Sequence, residues 1–179
     1  MNHKDNYTFL THAPVHKVIL SMAVPTIISM LVTSIYGMVD TYYVGKINTQ
    51  STAAVGISFS IMAIIQAIGF FFGHGSGNYI SQCLGSKETE KASCMAATGL
   101  IYSFSFGLLV AIIGLIFLPE LCIFLGSTET ILPYTERYLG IILCGAPFMT
   151  SSFTLNNQMR FQGNARYAMY GILSGVLLK

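Results

Sequence analysis

The chain has 179 residues, of which 53% are hydrophobic and only 9% charged, with a formal net charge of +2. A soluble domain carries about 25% charged residues, and the shortage here runs along the whole sequence. That excludes a soluble globular protein and predicts an all-α, polytopic membrane protein whose first partner is the lipid bilayer; the scattered cations offer no patch for nucleic acid.

Residues 1–17 are of mixed polarity and read as a cytoplasmic N-terminal segment. They are not a cleaved signal peptide, because the apolar run after Lys17 is too long and lacks a small-x-small cleavage site. Residues 18–179 read as one unit. A helix needs about 20 apolar residues to cross a hydrocarbon core of about 30 Å, and four segments qualify, at about 18–43, 53–83, 93–118 and 138–159. A fifth helix starts at 167–179, but its apolar stretch is about 12 residues, or roughly 18 Å, too short to span.

The connections are short and polar. "LGSKETEKA" (84–92) offers Gly85 as a helix stop, and "LGSTETILP" (125–133) and "QGNAR" (162–166) repeat the glycine-plus-polar chemistry. With the N-terminus inside, Lys4, Lys17, Lys87, Lys91, Arg160 and Arg166 lie on the cytoplasmic side. Lys46 and Arg137 lie outside, beside Glu120, Glu129 and Glu136. The cation bias favours that orientation.

In the first span, Asp40 and Lys46 are the sole charged residues between Lys17 and Lys87. Tyr36, Thr33 and Ser29 precede Asp40 at steps of four, three and four, which keeps all four side chains on one helix face. A polar face in lipid is costly, so this one is expected to point into the protein or a water-filled cavity. A carboxylate held there can carry a proton or bind Na⁺. The competing reading puts Asp40 in the outer headgroup layer beside Lys46.

In the second span, Gly69, Gly73 and Gly77 recur every four residues and make a groove for close helix packing, or for helices that slide past one another. His74 and Gln66 are candidate cavity-lining residues in the same stretch, although His74 could instead face a neighbouring carbonyl. Pro25 and Pro147 lie inside spans and are candidate hinges. Asn156, Asn157 and Gln158 are expected at the cytoplasmic interface, with Arg160 snorkelling there.

Cys83, Cys94, Cys122 and Cys144 have no metal-ligand spacing and read as packing residues. No nucleophile–base pair or HExxH is present, and "GHGSG" lies within a membrane helix and not after a strand, so neither an enzyme nor a phosphate loop is expected.

Three stretches together resemble one family, the multidrug and toxic compound extrusion (MATE) transporters, in their MepA-like bacterial branch. They are "PVHKVILSMAVPTIISMLVTSIYGMVDTYYVG", with an early proline and a D-x-x-x-V-G pattern; "GFFFGHGSGNYISQCLGSKETEKA"; and "GAPFMTSSFTLNNQMRFQGNA", which contains R-x-Q-G-N. The resemblance implies a twelve-helix protein of two six-helix lobes, with both termini cytoplasmic in the bacterial plasma membrane. The lobes rock to export lipophilic, often cationic compounds against a Na⁺ or H⁺ gradient, without any other cofactor.

It also implies that Asp40 belongs to the cation site of the N-terminal lobe, with Tyr36 at an aromatic position near it; Thr33, on the same helix face, is a further cation-coupling candidate. The fifth helix of the family usually continues into an L-N-x-x-L-D-P motif that completes this site. Here "GILSGVLLK" is followed by nothing, and Lys179 falls about where the Asn is expected. The chain therefore reads as most of an N-terminal lobe, with the C-terminal lobe missing. The alternative is a small non-transporting membrane subunit that oligomerises through its glycine-rich second helix.

Overall fold

A computed structural model describes residues 13–177 and is all-α among them. Most of the N-terminal segment, including Lys4, and the last positions, Leu178 and Lys179, lie outside the described residues. The helices are α1 (Val15–Ile47), α2 (Thr49–Gly85), α3 (Thr89–Ile116), α4 (Leu118–Phe124), α5 (Leu132–Phe161) and α6 (Ala165–Leu177). Four of them, α1, α2, α3 and α5, are long and apolar enough to cross a membrane. At about 1.5 Å per residue, the 37 residues of α2 run to about 55 Å, so the helix projects well beyond the hydrocarbon core or tilts within it.

The helix ends follow from local chemistry. Asn48 starts α2, its side-chain oxygen accepting the Ser51 N–H at 2.6 Å. Pro133 stands in the first turn of α5 and Pro119 in that of α4, where a missing N–H costs nothing. Three helices close with a left-handed residue followed by a bond five residues back. Gly126 has φ 98° and Ser127 donates to the Cys122 carbonyl, while Gly163 has φ 77° and Asn164 donates to the Met159 carbonyl. In the α2–α3 turn the left-handed residue is Lys87 (φ 63°), with Glu88 donating to Cys83; Gly85, expected to be the stop, is still helical.

α2, α3 and α5 form a tight three-helix unit, and α1 lies to one side of it, packed chiefly against α6 and less against α2. Lipid tails are as apolar as leucine, so burying oily side chains does little to hold membrane helices together; close backbone approach and hydrogen bonds do more. The glycines supply that approach. A Cβ added at Gly69 would meet the Phe153 Cβ at 2.6 Å, one at Gly73 the Asn157 Cβ at 2.8 Å, and one at Gly77 the Phe161 ring. The α2 groove is therefore filled by α5 of the same chain, which removes the surface that a self-docking subunit would use. α3 carries a second small-residue row, Gly99, Ser103, Gly107, Ala111 and Gly114, all buried. Gly99 meets Ser76 and Gln158, Gly107 meets Pro147, and Gly114 meets Leu143.

The unit is layered along its length. An apolar cluster of Ile61, Ile65, Ala111, Cys122, Leu139, Leu143 and Ala146 occupies one end, and Ile80, Cys83 and Ala92 occupy the other. Between them lies a layer of glycines and hydroxyls. Large apolar side chains such as Phe71, Ile101, Ile116, Ile141 and Phe148 are exposed on the outside, where lipid would meet them.

Candidate functional site

The face of α1 that carries Asp40 is covered unevenly. Pro25 and Ser29 are buried, Tyr36 is half-buried, and Thr33 and Asp40 are exposed. The cover on this face comes chiefly from α6, with a smaller share from α2.

The hydroxyls on this face bond to their own helix. Ser29 Oγ donates to the Pro25 carbonyl and Thr33 Oγ1 to the Ser29 carbonyl, both at 2.8 Å. Each oxygen keeps lone pairs that can accept a cation or a donor. Asp40 makes no ion pair or hydrogen bond among the described residues; the one ion pair found among them joins Lys91 to Glu88 at 2.9 Å. Lys46, which could have neutralised Asp40, lies with Nζ 4.7 Å from the centre of the Tyr42 ring. That is a cation–π contact.

On α2, Gln66 and His74 are both exposed, and they stand about 80° apart around the helix. His74 does face a carbonyl, that of Phe70 one turn earlier, with Nδ1 2.9 Å away. No group of three His, Cys, Asp or Glu side chains that could hold a metal occurs among the described residues.

The expectation for the end of α5 is corrected. Asn157 and Gln158 are buried in the helix unit and do not face outward. Gln158 Nε2 donates to Ser76 Oγ at 2.9 Å or to the Ala96 carbonyl at 3.2 Å, and Asn156 Nδ2 donates to the Ala168 carbonyl at 3.0 Å. An amide in lipid must find such partners, and the glycines admit the backbones that provide them. Arg160 does not extend freely either, because its Nε is buried without a partner.

Sequence reasoning also missed the buried hydroxyls Ser103, Thr150 and Thr154. Their signal was present: Gly99, Ser103, Gly107, Ala111 and Gly114 follow steps of four, four, four and three, the spacing that marked the α2 groove. Pro147 is buried directly against this row, opposite Gly107.

The sequence pattern of the MatE family matches residues 25–179. The chain belongs to that family. Within MatE it is 33% identical over 129 residues to the multidrug export protein MepA of Staphylococcus haemolyticus, a match covering 72% of this chain and 28% of that one. It superposes on the crystal structure of MATE in complex with MaD3S with a TM-score of 0.90 at 26% identity, covering 97% of this chain and 39% of the other. The outward-facing conformation of a multidrug resistance MATE family transporter of the MOP superfamily gives 0.85 at 27% identity, over 90% and 36%. The chain thus spans less than two fifths of these relatives and matches the N-terminal-lobe portion of a multi-pass MATE fold.

Proposed function

We propose that this chain supplies the ion-coupling lobe of a cation-driven antiporter that exports lipophilic, cationic small molecules across a bacterial plasma membrane, with the N-terminus cytoplasmic. The observation that carries the reading is the state of Asp40, an acidic side chain in a long apolar helix with neither ion pair nor hydrogen bond among the described residues. A carboxylate in that setting is neutralised by taking up H⁺ or by holding Na⁺. Tyr36 and Thr33 stand one and two turns earlier on the same face and offer further oxygens, as does Ser29 deeper along it.

Exchange follows from competition for one negative charge. An ion arriving from outside neutralises Asp40, lowers the attraction for a bound organic cation, and favours its release; departure of the ion restores the charge. Alternating access requires a second body rocking against this one, and the chain spans 28% of the MepA relative. Gln66 and His74, exposed on α2, are suited to line the shared cavity. Pro25 lacks the N–H that would close the helix onto Ser21, which suits a hinge within α1. Pro147 is a second candidate hinge, although its contact with Gly107 also suits it to packing.

The test is efflux of a lipophilic cationic dye from cells expressing the protein, or a chimera in which residues 25–179 replace the matching part of MepA. Asp40→Asn is expected to abolish gradient-dependent efflux while leaving membrane insertion intact. Unchanged efflux would remove Asp40 from the mechanism.

A further inference from the structure

His74 is left over from the helix packing. It is exposed on α2, yet two residues on the same turns, Gly73 and Gly77, are sealed against α5. Its Nδ1 lies 2.9 Å from the Phe70 carbonyl. A carbonyl only accepts, so Nδ1 carries the proton, and in the neutral ring the lone pair sits on Nε2. Among the described residues Nε2 has no partner. The ring meets Phe70 and Phe161 edge-to-face, both at 5.6 Å between centres, and Phe70 continues the array to Phe153 at 5.7 Å. A fixed acceptor is thus set among three phenylalanine rings, with the polar side chain of Asn78 exposed one turn on.

We propose that His74 Nε2 is a recognition point for lipophilic ammonium compounds that carry an N–H, the ammonium donating to Nε2 while its apolar body rests on Phe70, Phe153 and Phe161. The Nδ1–H bond to Phe70 matters because it favours the tautomer whose lone pair is on Nε2. An organic cation without an N–H fits the rings but leaves Nε2 unserved. The inference rests on the export reading for the class of cargo and adds to it a rule of selection at one atom, on α2 instead of at Asp40.

The experiment uses the chain in lipid nanodiscs and a matched pair of fluorescent probes, a protonated tertiary amine and its N-methyl quaternary analogue. A charge-assisted hydrogen bond corresponds to a preference of about tenfold or more for the tertiary amine. His74→Phe keeps an aromatic ring and is expected to erase the preference. His74→Gln, whose side-chain oxygen can accept, is expected to retain most of it, and it serves as the readout should the Phe variant fail to fold. Equal binding of the two probes by the unsubstituted chain overturns the proposal, as does an equal preference in His74→Phe. An amine preference that persists while Asp40→Asn leaves efflux intact sinks the coupling role and spares this one. A normal Asp40 dependence with no amine preference does the reverse.

Discussion

The hydroxyls of Thr154 on α5 and Ser103 on α3 stand 2.7 Å apart, and the same Thr154 oxygen lies 3.1 Å from the Gly69 carbonyl on α2. Three helices therefore meet at one oxygen, and all three residues are buried. Thr150 extends the contact by donating to the Ser103 or the Pro147 carbonyl, each at 3.0 Å. Interhelical hydrogen bonds in membranes average about 0.6 kcal/mol and reach about 1.7. Thr154→Val, which keeps the shape and removes the hydroxyl, is expected to cost about 1 kcal/mol in a detergent unfolding titration. Combined with Ser103→Ala, the costs are expected to fall short of additive, since both changes break one bond.

Glycines separate into two groups by what surrounds them. At Gly107 a Cβ would meet Pro147 Cα at 2.7 Å, a backbone atom that cannot swing aside. Gly107→Val is therefore expected to destabilise the bundle by about 1–3 kcal/mol, the usual range for overpacking. Gly75, between two sealed glycines of α2, has nothing within 4 Å. Gly75→Ala is expected to be neutral or to gain up to about 1 kcal/mol from helix propensity. Parallel unfolding curves separate the two outcomes.

The pairing of these helices was partly visible in the residue order. Gly69, Gly73 and Gly77 announced a groove because regular spacing of a residue without a side chain has a direct geometric meaning. The matching row on α3 mixes glycine with serine and alanine, and its periodicity is diluted by apolar neighbours. Asn157 and Gln158 misled for a different reason: amides near the end of a span fit an interface equally well, and only the glycine contacts of α2 and α3 give them a buried place. The exposure of Asp40 was open in the sequence, which allowed the headgroup layer as well as the interior, because spacing along one helix does not say what packs against it.

Lys46 offers a check on the electrostatics around Asp40. Its ammonium lies over the Tyr42 ring and makes no ion pair with Asp40. Lys46→Gln is thus expected to leave dye efflux within about twofold of the parent, whereas Asp40→Asn is expected to abolish it. Equal losses in both variants would indicate a working pair between them.

The four thiols give a separate test of the packing. Cys94 and Cys144 are exposed, and Cys83 and Cys122 are buried. Burial pushes the Cys122 thiol above its ordinary range, with a smaller push from the Glu136 carboxylate. The reactive thiolate is thereby disfavoured as well as shielded. A membrane-permeant maleimide is expected to modify Cys94, near the start of α3, in the folded protein and to reach Cys122 only on unfolding, even in alkaline buffer. Rapid labelling of Cys122 at neutral pH would show that α4 does not seat against α5 as described.

The clasp between α1 and α6 sets an order on biogenesis. α1 leaves the ribosome first, but its main partner begins at Ala165, about 120 residues later. At about 5–20 residues per second, the wait is roughly 6–24 s. During that interval α2 is the chief neighbour of α1 among the described residues, so a nascent chain stalled before α6 should leave α1 open to insertion chaperones and quality-control proteases.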